Sequence, residues 1–125
     1  MATGTVTLTQ TTAIGRVKKF KLEWTSTAGG AASDVTTVPV YGRVVALVTI
    51  PDAVAVPTVS YDVTVTDAEG YDVMQGAGAN RSDTATETAV PTAYSVAFGM
   101  LTIAVANAGD AKSGTVVLYV DAAPQ

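Results

Sequence analysis

The chain has 125 residues, a net charge of −4 and neither His nor Cys. This composition excludes disulfides, thiol chemistry and nucleophiles activated by His. About a third of the residues are Val or Thr, whose β-branched side chains fit strands better than helices. A single domain of this length buries enough surface for a core without cross-links.

The charge is unevenly distributed, because the first 50 residues are net basic and the remainder is net acidic. Four cations lie close together, at Arg16, Lys18, Lys19 and Lys21. Such a dipolar molecule can pack head to tail with copies of itself or place its basic end on an acidic partner. The alternative is that these are ordinary solvated strand positions.

The N-terminal segment lacks the charged start and long apolar stretch of a signal peptide. No apolar run approaches the roughly 18 residues that a membrane-spanning helix needs. We therefore expect a soluble protein that is not exported through a cleaved signal.

Residues 3–10 alternate between Thr and apolar side chains, with Val6 and Leu8 on one face. This period of two predicts a strand, either at a sheet edge or as an arm that pairs with a neighbouring subunit.

Residues 17–24 form a stronger predicted strand, in which Phe20, Leu22 and Trp24 point inward. Lys19 and Lys21 then point outward. Trp24 ends the apolar stripe, which favours a core position over a surface where it would stack on a sugar or base.

The middle of the chain contains three further extended segments. Pro39 places residues 35–41 at a sheet edge or bulge. Residues 43–50 are almost continuously apolar, which fits a strand buried on both faces; a short helix is the alternative, and the many β-branched residues argue against it. Residues 61–66 alternate cleanly, and a turn returns the chain through 71–74 as a hairpin.

The last third begins with a small, polar, Gly-rich loop at residues 75–86. Tyr94, Val96 and Phe98 then alternate with small residues. Residues 101–106 and 116–120 both show a period of two around a polar turn, which predicts a closing antiparallel hairpin.

These segments predict an all-β fold, a single antiparallel β-sandwich of about seven to nine strands with immunoglobulin-like or jelly-roll topology. Residues 1–16 form an extended N-terminal arm or first strand, 17–120 the sandwich and 121–125 a frayed tail.

The residues predict no catalytic, cofactor or metal site. Asp62, Asp67, Glu69 and Asp72 resemble a calcium cluster but lack the spacing of a calcium-binding loop, so a turn with solvated carboxylates is favoured. The acidic composition also argues against a nucleic-acid surface at the basic strand.

Four stretches together resemble small all-β virion proteins encoded among the head genes of tailed bacteriophages. They are Lys18–Trp24, Tyr61–Val73, Gly76–Arg81 and Leu101–Val120. The resemblance covers most of residues 17–120. It consists of similar short sequence segments and includes no catalytic motif.

The resemblance implies a non-enzymatic capsid decoration, or cement, protein. Its partners would be the major capsid protein and copies of itself in a dimer or trimer, with no nucleic acid, membrane or cofactor. It would be assembled in the host cytoplasm and lie on the capsid surface of the virion. The expected interface residues are Val6, Leu8, Arg16, Lys18, Lys19 and Lys21.

On this hypothesis residues 1–16 clasp neighbouring subunits, and deletion of residues 1–12 abolishes capsid binding without unfolding the sandwich. Three alternatives remain open. One is another virion component, such as a tail-tube, tail-terminator or head-fibre subunit. A second is a carbohydrate-binding module with Tyr41, Tyr71 and Tyr94 as its exposed platform, and the third is a small enzyme.

Overall fold

The computed structural model of the protein describes residues 4–12 and 16–121. These residues form nine strands and no helix, and therefore include no helix long and apolar enough to cross a membrane. The strands are β1 Thr5–Thr12, β2 Val17–Thr25, β3 Ala32–Val35, β4 Val40–Pro51, β5 Asp62–Thr66, β6 Glu87–Ala89, β7 Val96–Gly99, β8 Thr102–Ala106 and β9 Ser113–Asp121.

The strands form two antiparallel sheets, which confirms the predicted β-sandwich. The larger sheet has the order β1-β2-β9-β4-β6, with β7 pairing the same edge of β4 as β6. The smaller sheet has the order β3-β8-β5. Only β1 and β2 are both consecutive in the chain and paired, so most pairings are non-local and we expect slow folding.

Alternation along the strands builds the core, as the sequence predicts. Phe20, Leu22 and Trp24 on β2 are buried between the sheets, and so are Val63 and Val65 on β5. The inward residues of β8 and β9 complete the same cluster. Burial of this apolar surface is the main term that holds the two sheets together.

The predicted closing hairpin is wrong, because its two strands lie in different sheets. β8 pairs with β3 and β5, whereas β9 pairs with β2 and β4. The intervening turn crosses from one sheet to the other. It is fixed there by Ala108, a fully buried residue whose amide donates to the Gly30 carbonyl (3.0 Å) and whose carbonyl accepts from the Thr58 amide (2.9 Å).

The prediction that residues 43–50 are buried on both faces is also wrong. Val44 and Leu47 point into the core, but Val45 and Ile50 are exposed on the outer face of the larger sheet. A register shift between Val44 and Ala46 marks a bulge in the pairing with β9. Residues 43–50 are apolar on both faces of the strand because β4 also carries hydrophobic side chains on its outer face. Among the described residues, no second layer covers that face.

The predicted second hairpin is reduced to a tight turn and a single antiparallel bridge between Thr66 and Asp72, followed by further turns alongside β5. Residues 71–74 form no strand, although the Val73 amide donates to the Val65 carbonyl at 2.8 Å. Further along, the Val63 amide donates to the Gly78 carbonyl at 2.8 Å. This turn-rich segment therefore supplies hydrogen bonds along one edge of β5, a role that strands usually fill.

The N-terminal segment forms a strand at the edge of the larger sheet, which is the first of its two predicted roles. β1 pairs with β2 over its whole length, from Thr5 opposite Thr25 to Thr12 opposite Lys18. The frayed tail predicted for residues 121–125 lies, apart from Asp121 at the end of β9, outside the described residues.

Candidate functional site

Three of the predicted interface residues turn toward the core. Val6 and Leu8 are half-buried and pack against the core cluster. Lys18 has only 7% of its surface exposed, and it lies opposite Val120, whose side chain is fully buried. These three positions therefore contribute to the sandwich itself and offer little surface to a partner.

The other three predicted interface residues share the outer side of the larger sheet. Lys19 and Lys21 alternate with the buried residues of β2 and are partly exposed. Lys21 lies 3.8 Å from the Glu23 carboxylate, and Arg16 lies 3.0 Å from that of Asp121. Exposed pairs like these contribute little to stability, so their cations remain available to a partner.

β1 provides the edge beside these cations. Among the described strands it pairs only with β2, so its other edge has no strand partner. It is eight residues long and has no charged side chain. A long uncharged edge is the kind of strand onto which another chain can add by main-chain hydrogen bonds.

A cluster of exposed aromatic residues lies on the same face, at the opposite side of the sheet. Tyr41 on β4 and Phe98 on β7 are cross-strand partners, and their rings meet edge to face with centroids 4.8 Å apart. Phe98 is 67% exposed. Two residue pairs further along, Arg43 lies opposite Val96.

Tyr94, just before β7, extends this cluster. The Arg43 guanidinium lies over its ring, 4.8 Å from the centroid, while 72% of the Tyr94 surface remains exposed. Stacking of this kind orients a guanidinium without neutralising it.

Apart from Phe98, which lies beside it against Tyr41, these residues line a shallow depression of about 390 Å³, which we call the aromatic depression. Its lining side chains are those of Arg16, Tyr41, Arg43, Tyr94, Val96 and Asp121. It combines exposed rings with two guanidinium groups and one carboxylate. This composition can bind a small ligand through ring stacking and charged hydrogen bonds.

Of the tyrosines that the sequence predicts as an exposed platform, Tyr41 and Tyr94 line the depression, whereas Tyr71 is exposed outside it. The sequence alone does not identify Phe98 or Arg43 as part of this surface. The signal was present in the small residues that alternate with the aromatic ones. Ser95 and Ala97 point inward and are almost fully buried, and the Ser95 hydroxyl donates to the Val73 carbonyl at 2.6 Å. Small inward residues force the large residues of the same strand outward.

The acidic cluster around β5 organises turns. The Asp72 carboxylate accepts hydrogen bonds from the amides of Val65 (3.2 Å), Met74 (3.0 Å) and Gly76 (3.0 Å). Asp67 accepts from two amides of its own turn. Within residues 4–12 and 16–121, no group of three or more acidic side chains is placed to hold a metal ion.

Comparison with known proteins identified no similar protein. Neither the protein-family models, the curated proteins nor the solved structures that were searched gave a match to this chain.

Proposed function

We propose that this chain is a non-enzymatic structural protein of a tailed-phage head that binds the outer capsid surface and stabilises the shell. The observation that carries the proposal is the open edge of β1 beside the cations of β2. The resemblance in local sequence to head-gene virion proteins supplies the identity of the partner.

The proposed contact has two parts. A strand of the capsid protein adds to the free edge of β1, where main-chain hydrogen bonds give affinity without requiring a pocket. Lys19 and Lys21 on the neighbouring strand steer the protein onto an acidic capsid surface. Such an interface is small for each copy, and many copies on one shell reinforce it collectively.

The test is cosedimentation of the purified protein with mature heads that lack it, quantified as copies per particle. We expect saturation at on the order of hundreds of copies and a rise in the thermal stability of the head. Binding of a handful of copies would instead indicate a vertex, neck or tail component, and no binding would reject the proposal.

Deletion of residues 1–12 does not test capsid binding cleanly, because the structure indicates that the deletion also destabilises the sandwich. The deletion removes the β1 strand, exposes the paired edge of β2 and uncovers the core next to Val6 and Leu8. Loss of capsid binding would then be confounded by loss of stability. Substitutions of exposed β2 side chains separate the two effects.

A further inference from the structure

We propose that the aromatic depression is a binding site for an acidic saccharide, a sugar that carries a carboxylate. This function is separate from capsid attachment. It uses the β4–β7 side of the larger sheet, whereas the proposed capsid contact uses the β1–β2 side.

The exposed rings are the first line of the argument. Tyr94 and Phe98 are 72% and 67% exposed, and Tyr41 beside them is 38% exposed. Exposed apolar side chains are ordinary when scattered, but Tyr41 and Tyr94 line one depression and Phe98 packs against Tyr41, and such a group of rings marks a binding surface. The apolar face of a sugar ring covers such rings while its hydroxyl groups remain in contact with water and with neighbouring polar side chains.

The net positive charge of the depression favours a sugar that carries a carboxylate. Asp121 is paired with Arg16 at 3.0 Å, whereas Arg43 forms no ion pair among the described residues. The depression therefore has one uncompensated positive charge. The Arg43 guanidinium, held by its stack on Tyr94, offers N–H groups that match a carboxylate in pairs.

Size separates a sugar from a protein segment. A volume of about 390 Å³ lies near the lower end of the range for small-molecule sites. A stable protein contact needs roughly 800 Å² on each partner, which is far more surface than the depression provides. The depression reaches Asp121 on β9 and Arg16 just before β2, but its aromatic rings lie on the β4–β7 side, with β9 and β2 between them and the free edge of β1.

The experiment measures binding of trigalacturonate, with its neutral methyl ester as the matched ligand. Isothermal titration calorimetry gives affinities, and ¹⁵N–¹H NMR spectra locate the site. We expect trigalacturonate to shift the amides around Arg43 and Tyr94 and to bind at least about tenfold more tightly than the ester. Its affinity should fall as salt is raised.

Variants define the residues responsible. Tyr94→Ala and Arg43→Gln should each weaken trigalacturonate binding by about tenfold or more. Val54→Ala is the control, because Val54 is an exposed apolar residue outside the depression and should leave the affinity unchanged. Unfolding curves of all three variants establish that each remains folded.

Several outcomes would overturn the proposal: no binding of trigalacturonate at millimolar concentration, equal binding of acid and ester, or unchanged binding by Tyr94→Ala. If Tyr94→Ala instead abolished binding to heads, the depression would be a protein contact and the saccharide proposal would fail. The capsid proposal is judged separately, by copies bound per head.

Discussion

Trp24 and Tyr61 connect the two sheets through their side chains. The Trp24 ring, on β2, lies against the Tyr61 ring at the start of β5, with centroids 5.7 Å apart and planes tilted by 53°. Tyr61 is fully buried, and its hydroxyl makes no hydrogen bond in the described structure. The Thr49 hydroxyl lies close by but outside hydrogen-bonding geometry.

The buried hydroxyl has a consequence for pH. Burial raises the pKa of Tyr61 above its usual value of 10.0, and the charge of Arg81 partly offsets this increase. Above pH 10 the unfolded chain releases this proton more readily than the folded chain. Stability is therefore unaffected below the unfolded pKa and falls as the pH rises through the folded pKa.

Tyr61→Phe tests this interpretation. At about pH 8 we expect a change in unfolding free energy of less than roughly 1 kcal/mol, because the lost hydroxyl has no partner. Between about pH 10 and 11 the variant should lose less stability than the parent protein. Urea unfolding at both pH values measures this, and a loss of several kcal/mol at pH 8 would show that the hydroxyl is bonded.

Gly114, at the start of β9, lies directly against the Trp24 ring. A Cβ at this position would be 2.7 Å from Trp24 Cζ2 and 3.0 Å from the Ile50 carbonyl oxygen. Gly114→Ala should therefore reduce stability by about 1–3 kcal/mol. Gly29→Ala is the matched control, since its Cβ would meet Thr27 only at 3.8 Å, and a comparable loss there would contradict the steric explanation.

Asp72 holds the turns beside β5 through its three amide contacts. Asp72→Ala leaves these amides without their acceptor and should cost about 2 kcal/mol or more. Glu69→Ala, in the neighbouring exposed turn, should change stability by less than roughly 0.5 kcal/mol. Thermal unfolding compares the two, and equal effects would mean that the Asp72 hydrogen bonds contribute nothing specific.

Charge reversal tests the proposed capsid contact. The double variant Lys19→Glu/Lys21→Glu should weaken binding to heads by about tenfold or more at low salt, with a smaller effect at high salt. Lys112→Glu, between β8 and β9, is the control for a change in net charge. Cosedimentation at two salt concentrations gives the comparison. Unchanged binding by the double variant would place the contact elsewhere.

Most of the strands were predictable, because they have a local pattern, but the short strands β3 and β6 were not predicted. Phe20, Leu22 and Trp24 identify the inward face of β2 without reference to any other strand. Strand pairing was much less predictable. The turn after β8 contains the Asn and Gly typical of a hairpin, and nothing local distinguishes it from a turn that crosses between sheets.

The aromatic depression was beyond sequence reasoning for the same reason. Tyr41 and Phe98 are far apart in the chain and meet only because β7 pairs with the first half of β4. Arg43 becomes part of the site because its guanidinium lies over the ring of Tyr94, which belongs to the segment leading into β7. The sequence indicates that some aromatic residues are exposed. Only the pairing register of β4 with β7 shows that they lie next to one another.

The strand order also determines how the protein responds to mechanical tension. β1 and β9 are both antiparallel to β2, so they run in the same direction, with Thr5 and Asp121 at opposite ends of the sheet. A pull between these two residues loads both hydrogen-bonded ladders lengthwise, so many bonds must break together rather than one by one. Force spectroscopy should give a higher rupture force for this direction than for a pull between Thr5 and Thr25, which opens β1 from its end.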